Sequence, residues 1–348
     1  MKNFQKTVLV CMVILFCATS PAFSQNTIDI ENLQKNTDNF IDSLAKTLPF
    51  NSTIGLNWSD AYIGQMPPHF GIGFSAGFTT MDYASLRNLI NQFNLNMSFK
   101  NTSTFEKAGL PIPGYTLEAR IGGIIIPFDF GVKFGYISTG AFESLLEKFS
   151  NTPPFGYQNM LIGADVRFSP LDKKVFPVRL SVGLGFNFMK GEITAALPVL
   201  SYSFKDPDGN NYIISQNADS QQLGIEWRTS TLELKTQVSF PLKIITPYAG
   251  VGISYAFSQA GYRVNSKLSV TRNGNNVSTN TVEDLLKSLG LTGVSETGFE
   301  TIKKINSFNA RAFGGFSFNL AFFRLDLTGM YNFIGGDFGI TLGSRFQL

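Results

Sequence analysis

From Phe70 to the C-terminus the chain alternates apolar and polar residues with period two, in segments of strand length separated by turn-rich connections. The last segment sets Phe338, Ile340, Leu342, Phe346 and Leu348 on one face and Asp337, Thr341, Arg345 and Gln347 on the other. The one before opposes Phe323, Leu325, Leu327, Tyr331 and Phe333 to Arg324, Asp326, Thr328, Met330 and Asn332. The same alternation runs through Phe70–Phe78, Leu117–Ile125, Phe128–Tyr136, Met160–Phe168, Val178–Phe188, Leu232–Phe240, Ala249–Phe257 and Phe308–Leu320. Ten segments result, with short connections at one end and long polar ones at the other (81–115, 139–157, 191–222 and 263–306). The pattern predicts an all-β fold, a closed antiparallel transmembrane barrel of about ten strands, with the long loops extracellular. Twelve or fourteen strands are expected if Ser52–Trp58 and 191–222 pair into it. A soluble lipocalin-like barrel would turn its apolar face inward and has no need of Phe on so many outward positions.

At one place the face slips. Leu223, Ile225 and Trp227 are odd, whereas Leu232, Leu234 and Val238 are even. The expectation is a bulge near Thr229–Thr231, or a strand that leaves the membrane there and continues outside.

Four stretches have helical spacing instead: Ile30, Leu33, Thr37, Phe40, Ile41, Leu44 and Leu48; Leu86, Leu89, Ile90 and Phe93; Phe142, Leu145, Leu146 and Phe149; and Leu285, Leu286 and Leu289 after the capping sequence Thr281–Asp284. The first is read as a segment (25–50) that covers the barrel rim or enters the lumen as a plug, and the others as helices within the long loops.

Upstream, Lys2 and Lys6, an apolar run over 7–18 and Ala22-Phe23-Ser24 form a secretory signal (1–24), leaving 51–348 as the barrel. Cys11 and Cys17 both fall in the signal, so the mature chain carries no thiol chemistry. Loss of Lys2 and Lys6 takes 28 basic residues to 26 against 25 acidic, a net charge of +1, and implies no nucleic-acid partner. Only 15% of residues are charged, while Phe (34) and Gly (33) abound. A mean hydropathy of +0.06 is too low for a bundle of membrane helices, so the apolar residues must be dispersed along strands. With an even strand count beginning upward at Phe70, both termini are expected in the periplasm.

The chemistry-bearing residues are sparse. His69, the only histidine, lies where the first strand leaves the periplasm and reads as a turn residue. The run Asp206–Asn211 lacks the glycine placement and closing glutamate of a calcium loop and reads as a hairpin tip between Ser201-Tyr202 and Tyr212-Ile213. No catalytic, metal or cofactor site is expected, and the protein is read as a non-enzyme. The informative charges are those on inward positions: Arg120, Lys133, Arg167, Arg179, Lys235, Arg311, Arg324 and Arg345 against Glu118, Asp129, Asp165, Glu233, Asp326 and Asp337. They either cross-link a packed lumen or line a solute path. Arg311 and Arg324 are expected to pair with Asp326 and with acids of other strands.

The chain resembles outer-membrane β-barrel proteins of diderm bacteria. The stretch Gly109-Leu110-Pro111-Ile112-Pro113, with Glu118-Ala119-Arg120-Ile121-Gly122-Gly123 and Pro127-Phe128-Asp129-Phe130-Gly131, is similar to barrels of spirochaetes. The Asn-Pro-Ala hatch motif of the long-chain fatty acid transporters is missing. The resemblance implies export to the outer membrane, with lipid and the barrel assembly machinery as partners. The last residue is Leu348, so recognition by that machinery leans on Phe346. The functional expectation is a channel or transporter for small polar or partly apolar, lipophilic solutes; its alternative is a structural or adhesive surface barrel with a sealed lumen.

Overall fold

A computed structural model describes residues 30–63, 69–92, 102–122, 126–138, 155–170, 178–196, 201–205, 210–216, 222–265, 268–276 and 298–348. In chain order its strands are β1 (Phe70–Met81), β2 (Leu110–Gly122), β3 (Phe128–Ile137), β4 (Phe155–Phe168), β5 (Arg179–Ala196), β6 (Ser201–Lys205), β7 (Asn211–Gln216), β8 (Gln222–Ser239), β9 (Ile245–Asn265), β10 (Leu268–Arg272), β11 (Asn275–Asn276), β12 (Gly298–Leu320), β13 (Phe323–Asn332) and β14 (Phe338–Gln347). Ten of them close an antiparallel barrel, β1-β2-β3-β4-β5-β8-β9-β12-β13-β14, with β14 returning to β1 from Gly71↔Gln347 to Thr79↔Gly339. Closure is obligatory in lipid, where each unpaired backbone group at an open edge costs several kcal/mol.

Ten is the strand number of the alternation, and neither additional source contributes a barrel strand. Ser52–Trp58 is not a strand. Residues 191–222 extend β5, begin β8 and supply β6 and β7 to a separate sheet of order β11-β10-β7-β6. The β6–β7 pair is the hairpin expected on either side of Asp206–Asn211.

Over the height of the short strands the outward face is predominantly apolar. On β13, Phe323 to Tyr331 is nine residues, about 26 Å along the strand at ~3.3 Å per step, which matches the roughly 9–11 residues that a tilted strand needs to cross a bilayer's apolar core. Aromatic rings meet at both rims: Phe78 with Phe338 (centroids 6.1 Å apart) and Tyr331 with Phe333 (5.4 Å) at the outer, Phe322 with Phe346 (6.1 Å) at the inner.

Four neighbouring strands rise well beyond that band. β5 and β8 are 18 residues long, β9 is 21 and β12 is 23, against 10 for β3, β13 and β14. Above the membrane the chemistry of the two faces inverts: Met189, Ile225, Trp227, Ala260 and Tyr262 point inward and are buried, while Lys190, Arg228 and Gln259 point out. Of the two expectations for β8, the bulge is excluded and the other holds, a strand that continues outward beyond the band. The β8 register runs unbroken against both neighbours, so the backbone does not slip. What changes is the medium, lipid below and water above, and the side-chain preference of each face changes with it. The same inversion hid the outer halves of β5, β9 and β12 inside predicted loops.

The apolar inner wall is filled by a helix, α1 (Ile30–Asn51). Its Phe40, Ile41, Leu44, Ala45 and Leu48 form one core with the inward residues of the wall. Far out on the tall wall Asp42 pairs with Lys303 of β12 at 2.6 Å, whereas Asn51, lower down at the outer rim of the short strands β1 and β2, donates to Thr79 Oγ1 (2.8 Å) and to the Ile112 carbonyl (3.1 Å). The helix therefore descends from the outer end. Leu348 N–H bonds the Phe70 carbonyl (3.0 Å) at the inner end. The C-terminus is thus at the inner rim, as expected, and α1 begins toward the outer end; the residues before Ile30 lie outside the described residues.

The expected helix at Leu86–Phe93 appears as α2 (Tyr83–Gln92), and α3 (Thr102–Ala108) accompanies it. Asp82 caps α2 by accepting from the Ala84 (3.1 Å) and Ser85 (3.0 Å) N–H groups. The stretches Phe142–Phe149 and Leu285–Leu289 and the signal 1–24 lie outside the described residues.

Candidate functional site

Below α1 the chain continues through the bore. Residues 51–61 are all buried. Their contacts step down the lumen, from Thr79 and Ile112 around Asn51, to Ser239 at Ala61 (N–H to Oγ, 3.2 Å) and Asp129 at Ile63 (N–H to Oδ2, 3.1 Å). Such a strap carries backbone donors and acceptors on all sides and no strand partner, so the wall must supply them. The inward charges do this. Lys133 Nζ donates to the carbonyls of Ser52 (2.7 Å) and Ile54 (2.6 Å), Arg120 and Lys235 to that of Leu56 (3.3 Å each), Arg167 to that of Asp60 (2.7 Å) and Arg179 to that of Tyr62 (3.2 Å). Glu118 takes the Leu56 N–H (2.8 Å) and the Trp58 indole N–H (2.5 Å).

The strap turns at Gly55 and Leu56, whose φ angles are +84° and +57°. A Cβ at Gly55 would lie 2.3 Å from Thr116 Oγ1 and 2.9 Å from Glu118 Oε1, so only glycine fits there. Just below, the Trp58 ring occupies space left by Gly71 and Gly73 of β1, where an added Cβ would approach it to 2.7 and 3.3 Å. Arg345 lies 4.8 Å and Arg120 5.6 Å from its ring centre.

The charges also bind one another. Arg120 bridges Asp129 (2.5 Å) and Asp165 (2.7 Å); Arg167 joins Asp129 (2.6 Å), and Lys235 joins Asp165 (2.8 Å). Arg311 pairs with Glu233 (2.7 Å) and donates to Asn57 Oδ1 (3.0 Å). Arg345 reaches both Asp60 and Asp326 at 3.2 Å, and Arg324 meets Asp60 at 2.5 Å. All fourteen predicted positions face the lumen, twelve of them buried and Arg179 and Arg324 partly so. Arg311 has an acid of another strand as partner. Arg324 has Asp60 rather than Asp326 of its own strand, because the strap brings a carboxylate to it while Asp326 is engaged by Arg345.

Sequence reasoning did not single out Asn57, Trp58 or Asp60. The available signals were one of only two tryptophans and a glycine within a stretch that follows neither strand nor helix spacing.

Asp337, on the tight turn before β14, stands apart from this network. It accepts from Asn332 Nδ2 at 3.5 Å. Burial, with the Asp82 carboxylate nearby, outweighs that bond and pushes its carboxyl up to about 6. A raised carboxyl pKa means that the folded state prefers the proton. This contribution is therefore full below pH ~4 and is lost as pH rises through about 6. Asp337→Asn should flatten the stability profile across that window and leave it unchanged above; the unfolding midpoint from pH 4 to 8 measures it.

An outward apolar band of bilayer height around an inside packed with charge is the architecture of a bacterial outer-membrane barrel. Residues 165–346, more than half of the chain, match the model of a family of unknown function (DUF6588). The chain belongs to that family. A search of curated proteins gives no match. Among solved structures, it is similar to a major outer membrane protein of Thermus thermophilus, at 13% identity over 81% of this chain and 100% of that one, with a TM-score of 0.32. It is also similar to the outer membrane protease OmpT of Escherichia coli, at 10% identity over 83% and 100%, with a TM-score of 0.39. Ail, the attachment invasion locus protein of Yersinia pestis, matches at 10% identity over 81% and 100%, with a TM-score of 0.27. None of these three shares the spirochaetal origin suggested by residues 109–131.

Proposed function

We propose that this member of the family is a non-enzymatic, sealed outer-membrane barrel, inserted by the assembly machinery, whose working surface is its outer end. One observation carries the reading: the strap 51–61 is buried along its whole length and hydrogen-bonded to lumen side chains of β2, β3, β4, β8, β12, β13 and β14. Displacing it, with α1, returns Phe40, Ile41, Leu44, Leu48, Phe50 and Ile54 to water. At roughly 1.5–3 kcal/mol each this costs about 10 kcal/mol or more, so fewer than about one molecule in 10⁶ opens unaided.

A second reading is a channel for small polar or lipophilic solutes with α1 and the strap as its plug. It is favoured by a bore filled with a chain segment rather than with strand side chains alone. Planar bilayers and solute-driven vesicle swelling separate the two. The full-length protein is expected to be silent in both; steady conductance or swelling makes it a channel.

A further inference from the structure

On β1–β4, β13 and β14 every lysine and arginine among the described residues points into the lumen: Arg120, Lys133, Arg167, Arg324 and Arg345. Among the described residues of the barrel strands, outward cations occur on one arc alone, β5-β8-β9-β12. There Lys190 is opposite Arg228, Arg228 is opposite Gln259, and Gln259 is opposite Lys304, so the four form a single row across the strands. All four are exposed.

Below this row the same face is greasy, with Phe257 and Phe308 about half exposed and Phe188 partly so. The row thus stands where the outer leaflet's apolar layer ends. Two residues further out, Glu192 opposes Glu226, and Glu226 is engaged by Arg263. Lys190, Arg228 and Lys304 have no carboxylate partner among the described residues, in contrast to the paired cations of the lumen.

We propose that Lys190, Arg228 and Lys304 bind the phosphorylated headgroup of an outer-leaflet lipid, its acyl chains lying on the aromatic face below. At about 4.8 Å between strands the three cations span about 14 Å, room for a headgroup with two phosphates. Arg228 supplies the planar fork that suits phosphate oxygens, and the lysines supply point charges on flexible stems. Gln259 adds an uncharged donor between them. The assignment rests on the orientation of the barrel and holds whether or not the lumen opens.

The test uses the full-length protein in non-ionic detergent and fluorescent diphosphoryl lipid A, its dephosphorylated form and inorganic phosphate as probes. The triple variant Lys190→Gln, Arg228→Gln, Lys304→Gln is compared with Arg228→Gln alone and with Arg263→Gln from the same arc. Heat-modifiable migration certifies that each is folded. The diphosphoryl lipid is expected to bind the triple variant at least tenfold more weakly than the wild type, Arg228→Gln to fall between, and Arg263→Gln to match the wild type. Binding should weaken with salt and survive millimolar inorganic phosphate. Equal binding by the triple variant, or equal binding of the dephosphorylated lipid, overturns the proposal. Full competition by inorganic phosphate reassigns the row to a free anion and overturns the lipid assignment.

Discussion

Asp129→Asn is expected to destabilise the folded barrel by about 3–5 kcal/mol, because it leaves two buried guanidinium groups short of their counter-charge. The carboxylate accepts from Arg120 Nη1 at 2.5 Å and from Arg167 Nε and Nη2 at 2.9 and 2.6 Å, and it anchors the inner end of the strap through the Ile63 N–H. The asparagine amide keeps the shape but can satisfy only part of that set. Burial makes the effect large: an ion pair in open water contributes at most about 1 kcal/mol. The urea midpoint of the protein refolded in vesicles, with the temperature at which the folded gel band is lost, gives the size. A loss below about 1 kcal/mol means that water fills the lumen around Asp129.

Trp58→Ala should cost a similar amount, about 3–5 kcal/mol, by a different route. The indole is buried against Gly71 and Gly73, it faces two arginines, and its N–H is bonded to Glu118. Truncation opens a void in the bore and removes a donor from a buried carboxylate. Here the diagnostic readout is leakage: the variant should admit small ions in bilayers where the wild type does not. A folded, stable and tight Trp58→Ala variant would show that the indole seals nothing.

The barrel was legible in the sequence because lipid on one side and charge on the other enforce period-two alternation in every strand. Phe323, Leu325 and Leu327 against Arg324, Asp326 and Thr328 need no further information. The inward facing of the fourteen charges follows from the same parity. The outer halves of β5, β9 and β12 were not legible, and that of β8 only as one of two alternatives, since Ile225 and Trp227 turn inward against α1 where Leu232 and Leu234 turn outward to lipid. Facing depends there on what lies on each side, which a local pattern does not carry. The strap was least legible of all. Asn51–Ile63 has no regular spacing because its hydrogen bonds go to side chains far along the chain, as in Arg345 to Ser59 (2.8 Å) and Gln237 to the Trp58 carbonyl (2.8 Å).

The central claim is that this strap runs through the bore against the wall. Gly114 of β2 faces it so closely that a Cβ built there lies 3.8 Å from Cβ of Ile54, the separation found in disulfides. With both natural cysteines at positions 11 and 17, a chain cleaved after the signal offers no competing thiol. The double variant Ile54→Cys, Gly114→Cys, exported to an oxidising envelope, is the direct measurement: mass spectrometry of the folded, unreduced protein should find the two residues joined in nearly every molecule. Two free thiols in a folded, heat-modifiable barrel, both open to maleimide, would contradict the threaded lumen.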